Sequence, residues 1–354
     1  MKQRIVPILQ AILAAALFGA SVPLSKVLLG QIEPIPLSSL QNLGCGLGLF
    51  LLGLFSRKNR HQLEARLVRA EWPWLAGGIL VGGVAAPIVL MFSLRQTPAA
   101  TASLLMNFEA AATALVAVLI FREAVGKRVW LALVLVTGGS VLLSLDFTAT
   151  WGFSLGALGV VAACACWGLD NNFTRNISAK DSRQIVMIRG LAAGSVSCLI
   201  ALTAEQGFPS FGIALEALVM GFVCYGLGMV FFILALRQLG ATRTVALLAT
   251  APFVGTVLSF IIFHEPLNWL FLAALPLMLG GALLLAQEEH EHLHHHLALQ
   301  HEHRHRHDDG HHQHDHPAEE IPPSGWHSHL HEHPELEHAH PHTPDLHHRH
   351  RHGS

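Results

Sequence analysis

The sequence predicts an all-α integral membrane protein: about ten transmembrane helices as two inverted five-helix repeats, followed by a disordered His-rich C-terminal tail. Three observations predict it. Of 354 residues, 52% are hydrophobic and only 13% charged, about half the charged share of an ordinary soluble domain. Long apolar stretches recur along most of the chain. The charge is also split: residues 1–287 hold 18 Lys or Arg against 11 Asp or Glu, net +7, whereas 288–354 hold 4 against 13, net −9. An apolar, mildly basic body with an acidic tail excludes a secreted disulfide scaffold, an ordinary soluble enzyme and a nucleic-acid binder. Cys45, Cys164, Cys166, Cys198 and Cys224 all lie in apolar runs and read as small buried hydrophobes rather than bridges.

A bilayer core is crossed by roughly 20 apolar residues of helix. That ruler places spans near 5–29, 35–55, 73–94, 98–120, 129–146, 153–174, 184–203, 214–236, 244–263 and 268–286. Short connections rich in Pro, Gly or charge separate most of them, such as Gln96-Thr97-Pro98. A soluble helical protein of this size would need polar outer faces, and Leu131–Leu143 and Leu270–Ala286 offer almost none. The start, Met1-Lys2-Gln3-Arg4, imitates a signal-peptide n-region, but the apolar run is too long, carries Lys26 and is followed by nine more spans; it is expected to be retained.

Loop charge sets the expected orientation. With the N-terminus in the cytoplasm, fifteen Lys or Arg residues fall on the inner side, including Arg57, Lys58, Lys127, Arg128, Lys180 and Arg183; the outer side receives Arg95, beside Glu33, Asp146, Glu205 and Glu265. The expected location is the inner membrane, multi-pass, with both termini cytoplasmic.

The body repeats itself. Ser93-Leu94-Arg95-Gln96 matches Ala235-Leu236-Arg237-Gln238 at an offset of 142, and the same offset aligns Phe121-Arg122-Glu123 with Phe263-His264-Glu265 and Gly138-Gly139 with Gly280-Gly281. Nearer each start, Phe18-Gly19 and Lys26 match Trp167-Gly168 and Arg175 at an offset of 149. The units are 1–146, 147–287 and the tail 288–354. Five spans per half is an odd number, so the second copy enters the membrane upside down. Such inverted repeats supply two nearly equivalent conformations around a midplane site, the architecture of secondary transporters.

These residues resemble the EamA-type families of the drug/metabolite transporter superfamily. The carriers are Phe18-Gly19-Ala20-Ser21-Val22-Pro23-Leu24-Ser25-Lys26, the paired patterns at 93–105 and 235–248, Glu123 and Glu265, and the Gly-Gly pairs of the fifth and tenth spans. The resemblance covers nearly all of 5–286 and implies an exporter of amino acids, metabolites, drugs or other small solutes. Two positions depart from the family pattern. Gln41 stands where many members carry Arg, although Arg189 keeps the equivalent in the seventh span. Glu109 replaces a common Pro, while Pro252 is present in the ninth. The departures point to a binding site unlike that of an amino-acid exporter.

Ionisable groups within spans are costly, by about 2.5–3.5 kcal/mol on insertion scales, and call for a partner or a function. The expected substrate pathway comprises Lys26, Asn107, Glu109, Asp170, Asn171, Asn172 and Arg189. Glu109 reads either as a cation or proton site or as a hydrogen-bonded structural group, with Asn107 sharing its surroundings. Asp170 and Arg189, at similar depth on adjacent helices, are expected to form an ion pair, structural or gating. Asn171 and Asn172 are candidate oxygen ligands. The glycines Gly44/Gly48, Gly78/Gly82 and Gly190/Gly194 read as helix-packing pairs, and His264-Glu265 as an exposed loop pair.

From His290 onward 24 of 65 residues are histidine. The segment has too little apolar content to offset the entropy of ordering. Imidazole suits Ni, Co and Zn among other first-row metals, and ligation competes with protons. His290, His292, His294, His295, His296, His301, His303, His305, His307, His311, His312, His314, His316, His327, His329, His331 and His333 are therefore the expected metal ligands. No cofactor is required. The expected partners are the lipid bilayer and a small solute or metal ion, with no nucleic acid. Joined to the body, the tail makes the leading expectation an exporter of divalent transition metal, nickel or cobalt before zinc. The alternatives are an exporter of amino acids, metabolites or drugs whose tail acts separately, and a membrane-anchored metal store or sensor.

Overall fold

The computed structural model describes residues 2–55, 69–121, 126–147, 152–177, 181–239, 241–286, 290–296, 299–305, 327–333 and 336–342. The first half comprises α1 (Lys2–Leu28), α2 (Pro34–Phe55), α3 (Trp72–Gly78), α4 (Ala86–Gln96), α5 (Ala99–Leu105), α6 (Phe108–Leu119) and α7 (Lys127–Ser144). The second comprises α8 (Leu155–Arg175), α9 (Ser182–Thr203), α10 (Phe211–Met220), α11 (Gly228–Leu239), α12 (Ala241–Leu248), α13 (Ala251–Phe263) and α14 (Trp269–Ala286).

Among the described residues, eight helical stretches are long and apolar enough to cross a bilayer, and the predicted spans one to five and seven to nine fall on them. The predicted sixth and tenth spans fall on α8 and α14. The first of these carries Asp170-Asn171-Asn172 and Arg175, which lower its hydropathy, and the second is short. Both take their place by packing: α8 lies on α4 and α6 as α1 lies on α11 and α13. The second helix packs on the ninth, the seventh on the fourteenth, and α5 of the fourth span on α13 of the ninth, so three pairs of counterpart spans meet about a pseudo-twofold axis.

Two backbone irregularities repeat with the halves. A π-helical stretch, Ile79–Ala85, joins α3 to α4, and another, Gly221–Leu227, joins α10 to α11, 142 residues later. Widened turns of this kind occur mostly as short insertions, often at functional sites. The fourth span breaks at Met106–Asn107 between α5 and α6, and the ninth at Ala249–Thr250 between α12 and α13. Discontinuous helices in corresponding positions of two inverted halves mark the binding region of transporters.

Large apolar side chains cover the outside. Phe211 is 83% and Val134 67% exposed, which suits lipid and not water. Trp72, Trp74 and Trp130 stand at the helix ends on the face where α1 begins, and Phe147 stacks on Trp269 at the far face with centroids 6.5 Å apart. These are the two interfacial belts expected of a membrane protein. At the far face the halves are stitched by Leu145 bridging Phe153, and Gly152 beside it takes φ +69.

Close approaches account for most of the predicted glycine pairs. Gly44 and Gly48 meet Leu218 and Phe222, Gly190 meets Asn42 and Gly46, and Gly194 meets Leu43. Gly78 and Gly82 differ: what faces them is the carboxylate of Asp170.

In the tail, the backbone of β1 (His290–His296) pairs antiparallel with β4 (Leu336–His342), and β2 (Leu299–His305) with β3 (His327–His333). The side chains of these strands, and residues such as His311, His312, His314 and His316, lie outside the described residues, as do the tail's expected lack of order and its metal ligation.

Candidate functional site

The break in the fourth span positions the central carboxylate. Asn107 precedes α6, and Glu109 lies in its first turn, where the positive end of the helix dipole makes a favourable place for negative charge. Asn171 of α8 reaches across and donates through Nδ2 to Glu109 Oε1 and to Thr113 Oγ1, both at 3.1 Å. Thr113 in turn donates to the carbonyl of Glu109 at 2.8 Å. Asn172 is buried and bridges the same helices, donating to the carbonyls of Thr113 and Gly168 at 3.0 and 2.8 Å. The two asparagines therefore divide their work. Asn172 fastens α8 to α6, and Asn171 presents an exposed amide beside Glu109.

Direction separates that exposure from lipid contact. Leu158, Ala162 and Ala165 form the exposed apolar stripe of α8. Asn171 follows Leu158 by thirteen residues, which at 3.6 residues per turn turns it more than half way round the helix. It lies on the side of Cys164 and Trp167, which face the bundle. The Glu109–Asn171–Thr113 group thus lines a polar crevice inside the bundle.

Asp170 and Arg189 form the expected ion pair, through Oδ2 and Nη2, and Arg189 also donates to Thr174 Oγ1 at 2.7 Å. Asp170 is 4% exposed at its side chain. Room for it comes from the π stretch: a Cβ at Gly82 would overlap the carboxylate, and one at Gly78 would lie 2.7 Å from Oδ1. The wide turn also leaves carbonyls for side chains to use, Gly82 accepting from Trp167 Nε1 at 3.0 Å and Gly83 from Asn42 Nδ2 at 3.1 Å. The counterpart positions in the other half are neutral. Gln41 donates to Ser25 Oγ at 3.0 Å and approaches Met220 Sδ at 3.5 Å, and Tyr225 lies near Ser21 and Ser25. Met220 and Cys224, both buried, stand at the positions of Gly78 and Gly82.

Two expected relationships differ in the structure. Asn107 does not reach Glu109; it is buried and donates to the carbonyl of Leu104 at 2.9 Å, closing the last turn before the break. Glu265 is more than an exposed loop residue. Its carboxylate accepts from the amides of Ala99 at 2.5 Å and Ala100 at 2.9 Å. Lys26 donates to the carbonyls of Leu94, at 3.0 Å, and Thr97. The sequence signals were the doubled Phe-x-Glu motif for Glu265 and, for Lys26, a cation on the side disfavoured by loop charge. Among the described residues no group of three or more His, Cys, Asp or Glu is placed to hold a metal ion.

Known proteins converge on the same architecture. A solved crystal structure, described only as that of a protein, superposes with a TM-score of 0.56 over 78% of this chain and 95% of its own length, at 21% identity; it shows the fold alone. A protein of Methanothermobacter thermautotrophicus described as an uncharacterized transporter is 28% identical over 275 residues, 73% of this chain and 79% of its own length. The family model of the EamA-like transporters matches twice, over residues 5–145 and 154–287, which are the two halves related here by helix packing, π stretches and broken spans. The chain therefore belongs to the EamA-like transporter family of membrane proteins.

Proposed function

We propose that the chain exports small solutes bearing a cationic group, such as metabolite or drug amines, across the inner membrane, with both termini in the cytoplasm. The observation that carries this reading is Glu109, a carboxylate in the first turn of a half-helix, met by one exposed amide from Asn171. The charge pattern supports it. Gln41 removes a cation found in many members of the family, Arg189 is engaged by Asp170, and Glu109 adds an anion where Pro is common. Each change disfavours an anionic solute and favours a cationic one.

A second cationic cargo, a divalent transition metal such as nickel, cobalt or zinc, is favoured by the 24 histidines beyond residue 289. In that case the tail would collect the ion on the cytoplasmic side, and the bundle would move it past Glu109. Around Glu109 the described bundle offers amide and hydroxyl groups with the Cys164 thiol and Asp170 nearby, but no group of three or more possible metal ligands, a set that suits an ammonium group at least as well.

Growth and accumulation assays in a sensitive host test the reading. Cells expressing the chain should tolerate more of particular cationic amines and retain less of them, and Glu109→Gln should abolish the effect with or without residues 288–354. Lower cell-associated nickel, cobalt or zinc, dependent on Glu109, would favour the metal cargo. Higher cell-associated metal that depends on the tail alone would indicate a store and contradict export.

A further inference from the structure

The corner Gln96-Thr97-Pro98 joins the third span to the fourth at the far face, which is the outer face in the proposed orientation. Thr97 is 1%, Ala99 0% and Ala100 2% exposed. A corner this buried leaves the last carbonyls of α4 and the first amides of α5 in need of partners. Two charged side chains from other spans supply them. Lys26, near the end of α1, donates to the carbonyls of Leu94 and Thr97. Glu265, in the loop after α13, receives the amides of Ala99 and Ala100 on its two oxygens. Each charge matches the end of the helix dipole it meets, and the two lie within electrostatic reach of each other.

On its third side the corner rests on the start of α8, where a Cβ at Gly156 would overlap the Thr97 hydroxyl. Just beneath, Ser103 of α5 meets Ser259 of α13 at 3.3 Å, and Thr256 donates to the carbonyl of Ala100 at 3.5 Å. Helices α1, α5 and α13 thus converge below the corner. The contrast with Asp170–Arg189 is chemical. There two side chains neutralise each other directly, whereas Lys26 and Glu265 hold backbone groups that water can take over.

We propose that Lys26 and Glu265 are positioning residues of an outer gate. Together they hold the 96–98 corner shut over the pathway, and the transport cycle passes through their release. The gate does not depend on which solute is carried.

Impermeant maleimide labelling of the full chain in membranes tests this with two reporters. Ser103→Cys lies one turn below the corner, and Asn171→Cys lies in the crevice. A third strain without either cysteine sets the background from the native thiols. In the parent, S103C should label slowly from outside, and N171C should label readily from the cytoplasmic side of inverted vesicles. Adding K26M or E265A should speed outside labelling of S103C at least tenfold and slow cytoplasmic labelling of N171C severalfold. E265Q, which keeps one acceptor oxygen, should fall between. A structural loosening would raise both rates together, and that result overturns the gate. So does an unchanged S103C rate in whichever variants insert and run as single species in detergent, or rapid outside labelling of S103C in the parent.

Discussion

Gly82 has no side chain because Asp170 occupies its place: a Cβ there would overlap the carboxylate that pairs with Arg189. The π stretch, the glycine and the ion pair are one arrangement. The wide turn offsets the helix, the missing Cβ leaves a pocket, and the pocket accepts a charge that lipid would not tolerate alone.

Gly82→Ala should accordingly destabilise the protein. Overpacking of this kind costs about 1–3 kcal/mol, read as an earlier unfolding transition in detergent by size-exclusion fluorescence. Gly138 is the control. A Cβ there meets nothing within 4 Å, so Gly138→Ala should be neutral or stabilising by up to about 1 kcal/mol.

The ion pair should show strong coupling. Removing one partner of a buried pair leaves an uncompensated charge, at a cost of about 3–5 kcal/mol. Asp170→Asn and Arg189→Gln should each lower thermal stability by that order, and the double variant should be more stable than either single one. Additive losses in the double-mutant cycle would mean that Thr174 and the π stretch, rather than the pair, hold α8 to α9.

The adjacent asparagines should separate stability from transport. Asn172→Ala removes one bond from α8 to the Thr113 carbonyl of α6 and one within α8 to the Gly168 carbonyl and should cost about 1–3 kcal/mol. Asn171→Ala should change stability by about 0.5 kcal/mol or less, yet reduce export as Glu109→Gln does, because its amide is exposed beside the carboxylate. Tolerance assays run beside the melting curves check both.

Much of this was legible in the amino-acid order, for identifiable reasons. Apolar length located the spans, and the offset of 142 paired the halves, because duplication leaves both traces in the residues themselves. Asp170 and Arg189 were legible as partners from their similar depth on consecutive spans, although the backbones of α8 and α9 meet through the Ile79–Ala85 stretch on which both pack rather than directly. The π stretches were not, since an inserted residue in a helical turn leaves no change of composition. Without them Gly78 and Gly82 look like any helix-packing pair. Asn107 misled by proximity: two positions from Glu109 in chain order, it turns back onto Leu104 once the helix breaks. Glu265 was legible as a repeated residue but not as a partner of Ala99 and Ala100, because that contact spans more than 160 positions.

The inverted relation of the halves is tested most directly by the sidedness of equivalent loops. Gln31 follows the first span and Arg183 the start of the loop-to-helix turn after the sixth, and both are exposed. With single cysteines at each position, a membrane-impermeant thiol reagent applied to intact cells should modify Gln31→Cys at once and Arg183→Cys only after permeabilisation. Modification of both from the same side would contradict the account.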